Sequence, residues 1–213
     1  MIQIPDALKR VLEYSAVYWA FQTAVGAKGA HREILDRYAK PQQSEAVLDV
    51  GCGPAKIIEM LPEVSYVGVD LDESYLESAT NEFGKNASFE LCGADSIADL
   101  DSGPFDLILG IGLVHHLSDE IATGFFHGAS KKLAPGGRLV TMDGCYHPEE
   151  SKIGRTMVSN DRGEFIRAST EYERLASTAF SNVALDVRFD LLRIPYSHAV
   201  MVSSNGEPAR GSG

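Results

Sequence analysis

The sequence predicts an α/β fold, a doubly wound parallel sheet with helices on both faces. Three observations carry that expectation. Apolar runs of strand length alternate with helical patterns through the first five strands. A glycine-rich turn, Gly51-Cys52-Gly53-Pro54, separates the first strand from a helix. Acids mark the first two strands: Asp49 lies inside Val47–Val50, and Asp70 closes Ser65–Asp70.

The first strand is apolar and β-branched at both ends, as buried parallel strands are. Glycines directly after it let a ligand approach the backbone, because no Cβ intervenes. That pattern belongs to a nucleotide-cofactor loop. The dinucleotide fingerprint needs a third glycine where Lys56 stands, so it fails. No G-K-[ST] follows, which excludes a P-loop. Asp70 lies 70 − 51 = 19 residues past the first glycine. That is near the spacing of about 20 at which an acid meets ribose hydroxyls in doubly wound folds.

Five segments in order, Val47–Pro54, Tyr66–Asp70, Gly93-Ala94-Asp95, Phe105–Leu117 and Leu133–Leu139, together resemble the class I S-adenosylmethionine (SAM)-dependent methyltransferases. They span roughly half the chain. Ala55 stands where that family often has another glycine. The resemblance implies a Rossmann-like seven-stranded sheet of order 3-2-1-4-5-7-6 with the last strand antiparallel. It implies SAM as cofactor and S-adenosyl-L-homocysteine as product. The positions that would hold them are Asp49, Gly51, Cys52, Gly53, Asp70, Leu71, Asp95, Ser96, Gly110 and Ile111. On this reading residues 1–44 are a helical lid or extension, and 45–203 the SAM-binding domain with a substrate-side insertion at 144–168. Residues 204–213 are a flexible tail.

Composition narrows the partners. The chain has 213 residues, enough for one domain with a sizeable core. Its formal charge of −11 repels phosphate backbones, so no nucleic-acid partner is expected. Cys52, Cys92 and Cys145 form no C-x-x-C pair and suit a reducing compartment. No signal peptide or membrane-spanning run is read, so a cytoplasmic location is expected. The resembling enzymes are often dimers, which leaves a homodimer open.

Along the chain, Pro5 to about Val25 reads as a helix carrying Tyr14, Tyr18, Trp19 and Phe21. Its aromatics form either a packed stripe or a lid. Gly26 and Gly29 are expected to break it, and a second helix to run from Ala30 to Tyr38. Short helix 56–61 ends at Pro62. Asp72 should cap a helix reaching Phe83, with Gly84 as its stop. Strands are expected near 87–92 and 105–112. A helix follows from Ser118 to Leu133, and Pro135-Gly136-Gly137 turns the chain into a fifth strand, 138–143. Thr170–Glu173 reads as a capping box opening a helix to Phe180. Strands 183–189 and 197–202 close the sheet, and 203–213 reads as a frayed tail.

Chemistry is expected at the end of strand four, because open parallel sheets bind ligands outside the carboxyl ends of their strands. The chain lacks the N-P-P-Y and Pro-Cys motifs of amino- and cytosine-C5-methyltransferases there. Gly110 and Ile111 offer no carboxylate, so no catalytic metal is expected. Leu113–Leu117 resembles the His-containing segment of small-molecule methyltransferases, some of which pair this histidine with an N-terminal tyrosine. That resemblance implies His116 as base, with His115 beside it and Tyr18 as partner. Tyr14 would lie one helical turn away. Imidazole titrates near neutrality and suits proton removal from a hydroxyl or ammonium. Asp143 is an alternative base or an anchor for a substrate amine. Tyr146, Arg155, Arg162 and Arg167 are substrate-side candidates. The arginines either clamp an anionic small molecule or pair with neighbouring acids. Two other functions remain open: a SAM-binding protein that transfers no methyl group, and a protein methyltransferase.

Overall fold

The computed structural model describes residues 26–161 and 163–206. Sequence expectations for the helix at 5–25, for Tyr14, Tyr18 and Arg162, and for the tail from 207 fall outside them. Strands are β1 (Ala46–Val50), β2 (Ser65–Asp70), β3 (Ala87–Leu91), β4 (Phe105–Ile111), β5 (Leu133–Tyr146), β6 (Arg167–Ala168), β7 (Asn182–Arg188) and β8 (His198–Ser204). Helices are α1 (Ala27–Ile34), α2 (Glu73–Phe83), α3 (Asp119–Lys132), α4 (Lys152–Val158) and α5 (Ser169–Ala176).

The sheet order is β3-β2-β1-β4-β5-β8-β7, with β6 beside the end of β5. Strands β1 to β5 pair parallel, and β8 runs antiparallel to both neighbours. This is the expected order with one addition, the two-residue β6, which shifts the last two strand numbers. The order reverses between β1 and β4, which makes the crevice there the switch point.

The alternation of strand side chains builds two cores. Leu48, Val50, Val69, Ile108 and Leu139 face one side, where Phe125 and Phe126 of α3 and Tyr172 of α5 cover them. Val47, Leu107, Leu109, Val140 and Val200 face the other, against Ile34 of α1 and Leu35. In β4 the run Leu107-Ile108-Leu109 is wholly buried. A strand in mid-sheet is covered on both faces, so it carries a continuous apolar run rather than an alternation.

Local chemistry sets the ends. The Asp72 carboxylate accepts from the Ser74 and Tyr75 N–H groups at the start of α2. The Ser118 hydroxyl accepts from the Ile121 N–H at the start of α3, whose first turn holds Asp119 and Glu120 and whose last turn holds Lys131 and Lys132.

Several expectations need correction. Gly29 lies inside α1 and does not break it; Gly26, at φ 90°, is the residue that starts it. The expected helix to Tyr38 becomes α1 plus a π-turn, Leu35–Ala39, ended by Lys40 at φ 45° before Pro41. Pro135–Gly137 lies within β5 as an irregularity, where the register steps from Phe105↔Leu133 to Leu107↔Arg138. Gly136 takes φ 80° there, a conformation that side chains resist. Helix α5 starts one residue before Thr170, and the Glu171 carboxylate accepts from the Ala168 N–H, so Thr170 is not the cap. Ser203 and Ser204 belong to β8 rather than to a tail.

Because Ile108 is fully enclosed, Ile108→Ala should lower unfolding free energy by about 2–5 kcal/mol in a urea titration. A loss under about 1 kcal/mol would mean that the sheet collapses around the gap.

Candidate active site at the strand ends

The loop after β1 is built on three left-handed backbones: Gly51 at φ 71°, Gly53 at 52° and Ala55 at 54°. Ala55 therefore keeps the conformation a glycine would supply, at a modest steric cost that its small side chain limits. The Gly51 and Cys52 N–H groups donate to the Val69 carbonyl at 2.8 and 3.0 Å. Asp70 ties two loops together. One oxygen accepts from the Gly53 N–H at 2.8 Å and the other from the Asp72 N–H at 2.9 Å. A carboxylate has about four acceptor positions, so both oxygens keep capacity for ribose hydroxyls. Leu71 follows at 74% exposure, an apolar side chain held in solvent at the strand end.

Asp49 sits beneath this loop and is almost fully buried. The Tyr66 hydroxyl donates to it at 2.6 Å. Burial pushes its carboxyl up to about 7, opposed by the Tyr66 hydrogen bond and aided by the Asp70 charge. Burial, with the charges of Asp49 and Asp70, also pushes the Cys52 thiol well above its ordinary value. Cys52 therefore remains a protonated, packed group at neutral pH.

Asp95 and Ser96 open a 3-10 turn, Ala94–Asp99, and both are exposed. Gly124 of α3 lets that turn approach: a Cβ there would stand 2.9 Å from the Asp95 Cβ. A cavity of about 380 Å³ beside the turn is lined by Leu91, Cys92, Gly93 and Ser96, with Glu90 and Asp99 among the acids around it. Gly110 is buried against Phe125, and Ile111 ends β4 half-buried. The backbone features expected to hold the cofactor thus converge on the ends of β1, β2, β3 and β4.

The histidines occupy a 3-10 turn, Val114–His116, directly past β4. Their rings lie 4.1 Å apart, yet their environments differ. His116 is exposed; His115 is buried. One Asp143 oxygen meets the His115 ring Nδ1 at 2.8 Å and accepts from the His115 backbone N–H at 3.1 Å. His115 Nε2 faces Asp161 at 3.7 Å. Burial pulls the imidazole down, but the hydrogen bond and charge of Asp143 and the charge of Asp161 outweigh it. The group ends above its ordinary value. The sequence reading put His116 first; the structure sets a buried carboxylate, Asp143, against the ring of His115.

Two residues of this cluster, Tyr196 and His198, were not named in the sequence reading. The Tyr196 hydroxyl donates to Asp161 at 2.7 Å. The His198 ring lies 4.7 Å from the Tyr196 ring, and burial lowers its pKa to about 4 against the pull of Asp143 and Asp161. Tyr196 and His198 arrive beside Asp143 because β8 pairs with β5, in register Gly144↔His198.

The arginines are placed differently from expectation. Arg167 is buried: Nε and one terminal nitrogen hold Asp119, at 2.9 and 2.7 Å. Its other contacts are the carbonyls of Val114, Phe165 and Leu117. All its nitrogens are engaged, so it pins the histidine turn instead of clamping an anion. Arg155 pairs with Glu150 at 3.1 Å and lies over the Tyr146 ring at 5.6 Å. The expectation of an anion clamp is not supported by either residue.

Residues 47–137 match the family model described as "Methyltransferase domain". A ubiquinone biosynthesis O-methyltransferase of Idiomarina loihiensis is 31% identical over 44% of this chain and 40% of its own. A tRNA (carboxymethyluridine(34)-5-O)-methyltransferase of Saccharomyces cerevisiae is 27% identical over 57% of this chain and 43% of its own. The matches thus span about two fifths of these curated relatives. A phosphoethanolamine N-methyltransferase 2 of Haemonchus contortus, solved with S-adenosyl-L-methionine, superposes with TM-score 0.69 at 15% identity over 97% of this chain and 61% of that one. That likeness is one of fold. The sheet and its strand-end loops define a Rossmann-like α/β domain. Residues 47–137 are thus similar in sequence to methyltransferase domains.

Asp49 gives a direct test of the site's electrostatics. The unfolded chain releases this proton near 3.8 and the folded chain near 7. Between those values the folded state binds more protons, so stability falls as pH rises through the window. Asp49→Asn removes that contribution. The stability of the variant relative to the parent should rise by roughly 4 kcal/mol at most between pH 4 and pH 7.5 in urea melts. Parallel pH profiles would show that Asp49 ionises freely in the fold.

Proposed function

We propose that the protein methylates a small-molecule hydroxyl or amine, with His115 as general base and Asp143 as the group that orients it. The single observation behind this is the contact of His115 Nδ1 with Asp143 Oδ1 at 2.8 Å, at the carboxyl end of β4. When bound, SAM supplies a methyl group already activated on a sulfonium. The protein is left to align the acceptor, exclude water and take its proton. The glycine cradle fits such a cofactor: a Cβ on Gly51 would stand 2.9 Å from Leu113 Cδ1, so the loops after β1 and β4 meet closely. Asp70 and Leu71 would hold the ribose and adenine side, joined by Asp95 and Ser96. Asp49, Gly51, Cys52, Gly53, Gly110 and Ile111 would line the rest.

Asp143 fixes the Nδ1 side of His115, which leaves Nε2 as the proton-accepting atom. Residues 144–168 frame that atom, since the Phe165 N–H donates to the His115 carbonyl at 2.9 Å. The acceptor is a small molecule because the formal charge of −11 opposes a polyanion. The yeast relative, whose name specifies tRNA, supports a second reading in which RNA is the acceptor.

Methyl-labelled SAM separates these readings. The protein is incubated with a small-metabolite extract and, in a second arm, with total tRNA. Label is expected in small molecules, reduced about a hundredfold or more in His115→Ala and within about threefold of the parent in His116→Ala. Both variants should still bind S-adenosylhomocysteine. Equal loss in the two variants would remove His115 as the base, and label in tRNA alone would establish the RNA reading. Neutral imidazole takes the proton, so kcat/KM should rise with pH through a value above 6.5. In Asp143→Asn that limb should move to lower pH.

A further inference from the structure

We propose that the acceptor is a protonated amine, bound by Asp161 on the Nε2 side of His115 and by the unshared oxygen of Asp143. This inference rests on the methyl-transfer reading and narrows its substrate to a cation. The groups around His115 are acidic. Asp143 meets its Nδ1, and Asp161 faces its Nε2 at 3.7 Å. Among the described residues, the arginine that acts on His115 is Arg167, and Asp119 neutralises it at 2.7 Å. Among the described residues the wall offers carboxylates to a ligand, and Arg167 is committed to Asp119 and three carbonyls.

A second feature of the cluster points to a ligand group. Asp143 Oδ2 and His198 Nδ1 are fully enclosed and have no hydrogen-bonding partner. Asp143 is 1% exposed and His198 5%. Buried polar atoms normally find partners, because each one left alone costs about 1–3 kcal/mol. His198 is neutral at pH 7, with a pKa near 4, so Nδ1 is able to accept a hydrogen bond in one tautomer. Two carboxylates and a neutral imidazole form an acceptor-rich wall. An ammonium, with three donors, complements it; a carboxylate or phosphate is repelled.

Asp161 is held in place for this. The Tyr196 hydroxyl donates to one of its oxygens at 2.7 Å, and the Gly163 N–H to the other at 3.0 Å. Its side chain remains 29% exposed, so it is reachable from solvent while the rest of the cluster is closed. The protein's negative field also favours cation entry.

The chemistry balances. The ammonium gives one proton to His115 Nε2 and becomes a neutral amine. The nitrogen lone pair then forms a bond to the methyl carbon as the carbon–sulfur bond breaks, and that electron pair stays on sulfur. The product is a methylated ammonium and a neutral thioether; the proton on His115 leaves to solvent.

The test uses the full chain with methyl-labelled SAM and a small-metabolite extract. Products are run on a cation-exchange column at pH 7, with unreacted SAM resolved as a reference peak. Label is expected in a retained, cationic product. The acceptor recovered from that fraction is then titrated calorimetrically against parent and variants. Asp161→Asn should raise KM and Kd for it by about tenfold or more, with kcat and S-adenosylhomocysteine binding within about twofold. Tyr196→Phe, which removes only a hydroxyl, should shift KM in the same direction by about threefold. Label in neutral or anionic products overturns the amine while leaving methyl transfer standing. An unchanged KM and Kd in Asp161→Asn removes Asp161 from the site. No label in any fraction sinks the methyl-transfer reading and this inference with it.

Discussion

The contact between Asp143 and His115 is the constraint on which the rest of the site depends. One buried oxygen serves both the ring and the backbone N–H of the same residue. That ties the turn after β4 to the end of β5. Everything past β5 is then arranged to hold this turn. Arg167 grips the carbonyls on either side of it, Val114 and Leu117, and carries its counter-ion, Asp119, from the first turn of α3. Phe165 donates to the His115 carbonyl from within the 144–168 segment. A histidine on a loose loop would sample many rotamers; here backbone and ring are set by the same network.

The other half of the crevice is held by backbone geometry. The turn after β1 is a run of left-handed residues whose N–H groups are tied to β2, through the Val69 carbonyl and the Asp70 side chain. Asp70 also reaches forward to the Asp72 N–H, where Asp72 caps α2. Two successive aspartates thus link the loop after β1, the end of β2 and the next helix. Asp49 is the cost beneath this arrangement. It raises no sheet stability, and burial disfavours its charge.

Much of this was legible in the sequence, for identifiable reasons. The strands of the parallel half announced themselves because a doubly covered strand must be continuously apolar, as Leu107–Leu109 is. The glycine turn was legible because left-handed backbone selects residue type. Arg167 stood open in the sequence between an anion clamp and an ion pair, because a guanidinium looks the same there whether it holds a ligand or an acid and three carbonyls. Which of His115 and His116 is buried was not legible, because the two are adjacent and the carboxylate that meets the His115 ring lies 28 positions away. Tyr196 and His198 were missed for a topological reason. They reach Asp143 only because β8 inserts between β5 and β7. The polar run Tyr196-Ser197-His198 at the start of an otherwise apolar strand was the one available clue.

The distribution of cost across the molecule argues for the site independently of any resemblance. Buried ionisable groups of the sheet gather at one end. Asp49, Asp143 and His198 are buried ionisable residues on three strands, all near the carboxyl ends of β1 and β5. Apolar replacements of similar volume at such positions are often neutral or stabilising in folding terms. A chain selected only to fold would have little use for them. Strain and unmatched polarity persist where the surrounding structure over-determines them, and they cluster at sites that act on a ligand. The same reasoning separates His115 from His31, a second histidine whose pKa burial lowers. His31 lies in α1, away from the strand ends, whereas His115 is braced by a carboxylate and open toward Asp161. Burial alone does not make a base; an oriented ring with one nitrogen left to use does.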